Sequence, residues 1–428
     1  MIDRTKCPPI NAIEKFELQT PERRILPNGI PLSLFRSDQR EGIRMDILIN
    51  AGIWQQEMPL QALFTNRMLR EGAGELTSGM ISETFDYYGA WISTNTTLNY
   101  NQLSLYSLNK DFDKTLSLLA LLLKEPTFPE AEFKVMVDAN RQQYMVNSSK
   151  VGVMAHKCFN RSLFGSGHPC GHFAKLEDYD LITTGHLRQY YNRYYHSGNC
   201  AIMLSGNIDE EMIGLVEQAF GKEAWGNSAQ QQPMSPQPVT PTTEKRIFIE
   251  HPDSVQSAIR VGTLFIDRTH PDYAKACVLI TLFGGYFGSR LMANIREEKG
   301  YTYHIAAAIQ DYPYHSILSV STEAGTAYVE ETLREIKHEM KRLHEELVSQ
   351  QELALVQNYM MGEICRSSEG VFSLPDTWIF LDTAGLDETY YTGLVDAIRT
   401  ITPEEIRQLA VKYLRPEEQI EVIAGKKM

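Results

Sequence analysis

The sequence nearly repeats itself, and this constrains its fold more than any other feature. Residues 183–194 read T-T-G-H-L-R-Q-Y-Y-N-R-Y and residues 402–413 read T-P-E-E-I-R-Q-L-A-V-K-Y. In each, a threonine stands where a helix N-cap accepts from the first turn, and R-Q-x-x-x-(R/K)-Y follows at the same spacing. Each stretch leads into a short apolar run, residues 201–204 and 420–424, bounded by Ser-Gly or Ala-Gly. A unit carried twice predicts two similar bodies joined in one chain.

The order of elements supports this. In the first half, Ile43, Met45, Ile47 and Ile49 alternate with Arg44, Asp46, Leu48 and Asn50, the period of a half-buried strand. A helical stretch over 59–70 follows, then a short helix with Ile81, Phe85 and Tyr88 on one face, stopped by Gly89. Strands are expected near 90–96 and 103–107, and helices over 112–123 and from 129 onward. The second half repeats the series: helices over 272–283 and 289–298, strands at 301–309 and 316–322, and helices over 328–347 and 351–366. The expected fold is α+β: two homologous domains, each a mostly antiparallel sheet with helices packed on one face.

Between the halves, residues 226–243 are rich in Gln, Pro, Ser and Thr, with prolines at 233, 236, 238 and 241. Such composition favours an extended linker that buries little. The expected domains are therefore 1–225 and 244–428, with a linker open to proteases. Net charge is −13, with no basic run interleaved with aromatics, so nucleic acid is not an expected partner. The six cysteines are scattered without a C-x-x-C pair and read as reduced thiols. No signal peptide or 18-residue apolar run is visible, so the reading is a cytoplasmic protein with no membrane span.

The most specific motif lies in the second half. Gly284-Gly285-Tyr286-Phe287-Gly288-Ser289-Arg290-Leu291 leads into Asn294-Ile295-Arg296-Glu297-Glu298-Lys299-Gly300-Tyr301-Thr302-Tyr303. Glycines before a helix also suit a phosphate loop, but no parallel β-α-β unit and no Lys-Ser/Thr ending accompany them. The run closely resembles the signature of the pitrilysin/insulinase peptidases, which include mitochondrial processing peptidase. Further resemblance lies in Asn28-Gly29-Ile30, in Gly167-His168-Pro169 and in both T-x-x-x-(L/I)-R-Q helices, so it spans nearly the whole chain. It implies a chamber of two similar domains, the first carrying zinc and the second gripping substrate through an Arg and a Tyr. Those two fall here on Arg296 and Tyr303, whose guanidinium and phenol can hold a peptide carbonyl or its oxyanion.

The zinc motif itself is missing. The family binds metal through H-x-x-E-H on a helix, with the Glu activating a metal-bound water. Anchored by Met68-Leu69 and Gly72, the motif falls on Leu63-Phe64-Thr65-Asn66-Arg67. Leu63 has no donor, Arg67 is a permanent cation and Asn66 cannot take a proton. Residues 1–155 contain no histidine, and residues 139–176 contain no Asp or Glu. The implied third ligand falls near Gln142 and Gln143. His168 and His172 flank Pro169-Cys170-Gly171, where Pro and Gly preclude a regular helical face; they read as structural.

The resulting expectation is a non-catalytic subunit with no metal cofactor. It would lend Arg296 and Tyr303 to a zinc-bearing homologous subunit, or pair with a second copy of itself, and act on unfolded peptides. Two alternatives are an active zinc endopeptidase and a purely structural core-type subunit.

Overall fold

The computed structural model describes residues 5, 13, 15–38, 42–227 and 234–427. Residues 228–233, within the expected linker, lie outside the described residues.

The first half builds one sheet from β1 (Glu22–Ile25), β2 (Pro31–Arg36), β3 (Ile43–Ile49), β4 (Trp91–Thr96), β5 (Asn101–Ser107) and β6 (Cys200–Gly206). Its helices are α1 (Gln61–Met68), α2 (Ser78–Tyr87), α3 (Phe112–Lys124), α4 (Glu130–Ser148), α5 (Val151–Phe164), α6 (Thr184–Tyr194) and α7 (Glu210–Val216). The second half builds its sheet from β7 (Arg246–Glu250), β8 (Gln256–Phe265), β9 (Thr302–Tyr312), β10 (His315–Gly325) and β11 (Ile420–Gly425). The accompanying helices are α8 (Tyr273–Ile280), α9 (Val329–Glu345), α10 (Gln350–Ser368), α11 (Leu374–Ala384), α12 (Thr389–Thr400) and α13 (Pro403–Tyr413).

The sheet orders are β1-β2-β6-β3-β5-β4 and β9-β10-β8-β11-β7. Read in the opposite sense, the second order repeats the first apart from β1. In each sheet one pair is parallel, β2 with β6 and β7 with β11, and the other pairings are antiparallel. The matching helices α6 and α13 each start in a capping box on Thr183 and Thr402, the geometry their shared sequence predicts.

Each sheet buries one face against its own helices. In the first, Met45, Ile47, Leu103, Leu105 and Ile202 pack with Phe64, Leu119 and Leu187. In the second, Ile259, Val261, Leu318 and Val320 pack with Leu279, Ile336, Met340 and Leu409. The opposite face of each sheet takes one helix from the other half. α5 of the first half lays Ala155, Phe159 and Leu163 on Ala258, Ile317, Ile420 and Val422 of the second sheet. α11 of the second half lays Leu374, Trp378, Ile379 and Leu381 on Phe35, Leu48 and Met203 of the first. The approach of α5 is close enough to require Gly262, because a Cβ there would stand 2.8 Å from the Phe159 ring.

This exchange corrects the reading of β3 as half-buried. All seven of its residues are buried, because α11 covers the face that carries Arg44 and Asp46. Those side chains are 5% and 0% exposed and form an ion pair at 2.8 Å. Arg44 also donates to Asp376 at the start of α11 (2.9 Å) and to the Phe372 carbonyl (2.6 Å). Asp46 accepts from Gln102 and Ser104. The described end of the linker is likewise tied down: the amides of Thr240 and Thr242 donate to the carbonyls of Phe164 and Ser162 at the end of α5.

Arg44→Leu should destabilise the fold by about 3–5 kcal/mol, since it strands a buried carboxylate. Asp376→Asn should cost under about 1 kcal/mol, because its side chain is largely exposed. Urea unfolding of the two variants distinguishes these outcomes, and equal losses would refute the assignment of Arg44 to the buried pair.

Candidate functional site

α1 carries the residues at the positions of the zinc motif. Leu63 packs against the first core, and Asn66 is fully buried. The Asn66 amide donates to the Asn95 carbonyl of β4 (2.8 Å), and to Thr96 Oγ1 and the Gln102 carbonyl (both 3.3 Å). Its oxygen accepts from the Tyr195 hydroxyl (3.3 Å). An ionised glutamate has no hydrogen to give those carbonyls. The position of the family's general base has therefore become a cross-link between α1 and the edge hairpin.

Arg67 is half-buried and reaches across to α4, where Nη1 donates to Asn140 Oδ1 (2.8 Å). Burial, followed by the nearby charge of Arg70, lowers the Arg67 pKa. Asn140, rather than Gln143, is thus the α4 residue that the structure brings to the motif; Gln142 and Gln143 are exposed. The inward stripe of α4 is marked by the buried Phe133 and Val137, and helical spacing carries it on to Asn140 and Tyr144. That stripe was readable in the sequence, and counting residues from the motif missed it.

Zinc chemistry does not fit this donor set: an alkyl group, a carboxamide engaged with backbone carbonyls and a guanidinium. Among the described residues no group of three or more His, Cys, Asp and Glu side chains is placed to hold a metal. His168 is buried, stacked on Phe164 at 5.1 Å with Trp54 at its edge, and its Nδ1 accepts from the Cys170 amide. His172 is bound instead to the Ser166 carbonyl. The two serve packing and loop closure.

In the second half, the glycine-rich run packs a helix against a strand. α8 continues as a wider turn over Thr281–Gly285. There a Cβ on Gly284 would stand 2.6 Å from that of Ala307 on β9. Arg290 pairs with Glu352 of α10 (2.8 Å), and Asn294 donates to Glu339 of α9 (2.7 Å). This scaffolding holds a segment of wide helical turns, Met292–Glu298, which ends just before β9.

Arg296 sits in the last turn of that segment, with its guanidinium 4.7 Å from the centre of the Phe287 ring. Phe287 is 63% exposed and was not singled out from sequence. Tyr303 is 86% exposed. It lies at a bulge in the β9–β10 register between Thr302 and Ile305, where the His304 carbonyl is taken by the Thr302 and Thr322 hydroxyls (3.1 and 2.8 Å). A bulge of this kind re-aims a side chain. Arg296 and Tyr303 make no contact with each other among the described residues. Tyr303 is presented outward, whereas Arg296 is half-buried.

A family profile described as peptidase M16 inactive domain matches residues 182–360. A relative from Bacillus subtilis named uncharacterized zinc protease YmxG is 22% identical, over 81% of this chain and 84% of its own. The non-peptidase homolog YmxG of Helicobacter pylori is also 22% identical, over 82% and 81%. The crystal structure of a peptidase M16 inactive domain from Pseudomonas fluorescens superposes with a TM-score of 0.84 at 22% identity, covering 96% of this chain and 99% of that one. The chain shares the fold of that M16 structure and matches the M16 inactive-domain profile over residues 182–360, and it lacks the zinc motif at α1. The fold expected from the resemblance is the fold observed, and among the described residues no helix is long and apolar enough to cross a membrane.

Asn66→Asp should destabilise the protein by about 1–3 kcal/mol, since it removes the donor to three acceptors and buries a charge. Thermal or urea unfolding measures this, and an unchanged midpoint would show that the cross-link has no structural role. In a separate test, elemental analysis of purified protein should find no stoichiometric zinc; about one tightly held ion per chain at α1 would contradict the donor analysis.

Proposed function

We propose that this M16-like chain is a non-catalytic subunit that works beside a zinc-bearing chain of the same fold and presents Arg296 and Tyr303 to the partner's substrate. The observation that carries this reading is the contrast between two sites in one molecule. At α1 the residue at the general-base position, Asn66, is committed to internal hydrogen bonds. At the start of β9, by contrast, Tyr303 is held outward beside a bulge, and Arg296 makes no ion pair among the described residues. A merely structural chain has no evident use for either arrangement. In this reading Arg296 and Tyr303 hold a peptide carbonyl as negative charge develops on its oxygen, while the partner supplies the metal and the water. Zinc is no cofactor of this chain, and its substrates are unfolded peptides rather than one sequence.

Alone, the protein should hydrolyse no peptide. Reconstituted with a zinc-bearing relative, Arg296→Ala or Tyr303→Phe should lower turnover on the order of 10²-fold if they act as oxyanion donors. Complex formation, followed by sedimentation or light scattering, should be unchanged. Full turnover with both substitutions would remove the gripping role and favour the structural alternative.

A further inference from the structure

Arg67 is the one α1 motif residue that is not fully used internally. Of its five N–H groups, one is committed to Asn140. Among the described residues Arg67 makes no ion pair, whereas neighbouring Arg70 is paired with Glu71 at 3.3 Å. The guanidinium faces a cavity of about 600 Å³ walled by Val135, Met136 and Asn140 of α4 and by Thr94 of β4. Two acids also lie on the wall: Glu71 is neutralised by Arg70, itself on the wall, and Glu132 occupies the first turn of α4, where the positive end of the helix offsets its charge. β4 is the last strand of its sheet, and its Thr94 lies on the cavity wall.

We propose that this cavity binds the carboxylate of an extended peptide, with the Arg67 guanidinium as its receptor. The inference goes beyond the pairing proposed above and does not rest on it, since it concerns this chain alone. A planar guanidinium with free N–H groups matches a carboxylate in a two-pronged hydrogen bond. The adjoining open strand edge gives an extended backbone somewhere to lie while its carboxylate reaches Arg67. That carboxylate can come from a chain's C-terminus or from an Asp or Glu side chain; the chemistry is shared.

The test uses the full chain and three dye-labelled nonapeptides read by fluorescence anisotropy. One has a free C-terminus and no acidic residue, the second is its C-terminal amide, and the third is the amide with one internal Glu. At least one carboxylate-bearing probe should bind about tenfold more tightly than the plain amide, and which one does so identifies the source. Arg67→Gln should abolish that difference, Arg67→Lys should retain part of it, and Glu132→Gln should enlarge it. Equal affinity of all three probes for the unaltered protein, or no binding of any, overturns the proposal without a variant. A difference that survives in a folded Arg67→Gln protein overturns it as well. Should Arg67→Gln fail to fold, the Arg67→Lys comparison decides: an undiminished preference there refutes the two-pronged contact. None of these outcomes touches the role of Arg296 and Tyr303, which is read from a partner's turnover.

Discussion

The architecture depends on a buried charge network that one half cannot complete alone. Arg44 and Asp46 stand on the same face of β3, the face that α11 covers. Removing two ions from water is expensive unless each is paired and hydrogen-bonded, and the structure meets that condition from both halves. Gln102 and Ser104 serve Asp46 from within the first sheet, while Asp376 and the Phe372 carbonyl serve Arg44 from the second half. Apolar contacts of Trp378 and Leu381 with Phe35 and Leu48 then seal the layer. The reciprocal layer, α5 on the second sheet, is held by close packing around Phe159, with Arg260 of β8 desolvated near His156 of α5.

Much of the fold was legible because its signals are local. Thr183 and Thr402 announce helix starts, and the two helices that follow have the same capping geometry. The alternation in β3 announces a strand. What the alternation could not reveal is the surroundings of its polar face, since α11 lies more than three hundred residues away along the chain and no local pattern connects them. The same limit applied at the site. The replacement of histidines by Leu63 and Arg67 is plain in the sequence, but the identity of the residue facing Arg67 depends on how α4 is rotated. The buried stripe through Phe133 and Val137 fixes that rotation and selects Asn140. Tyr303 was legible only through the surrounding motif; the bulge that turns it outward arises from register between β9 and β10.

At the position where the resemblance implies a metal helix, α1 is packed around a carboxamide. Asn66 gives hydrogen bonds that a carboxylate cannot give, to carbonyls that an apolar residue would leave unsatisfied. Metal binding at α1 therefore requires more than new ligands, because the groups now held by Asn66 would need other partners. The hydrogen bonds of Asn66 are part of the packing between α1 and the edge hairpin.

The exchange of α5 and α11 has a consequence for how the polypeptide comes into being. The first sheet can hydrogen-bond itself once β6 has emerged from the ribosome, yet its second face stays bare until α11 (Leu374–Ala384), far later in the chain, has been synthesised. The second sheet needs α5, which is made early and has to wait. Neither half can mature as an independent foldon; each acts as a template for the other, and the contacts that seal them are among the most distant in the sequence. Cutting the chain between the halves would leave one apolar face of each sheet without its cover unless the two pieces stayed together.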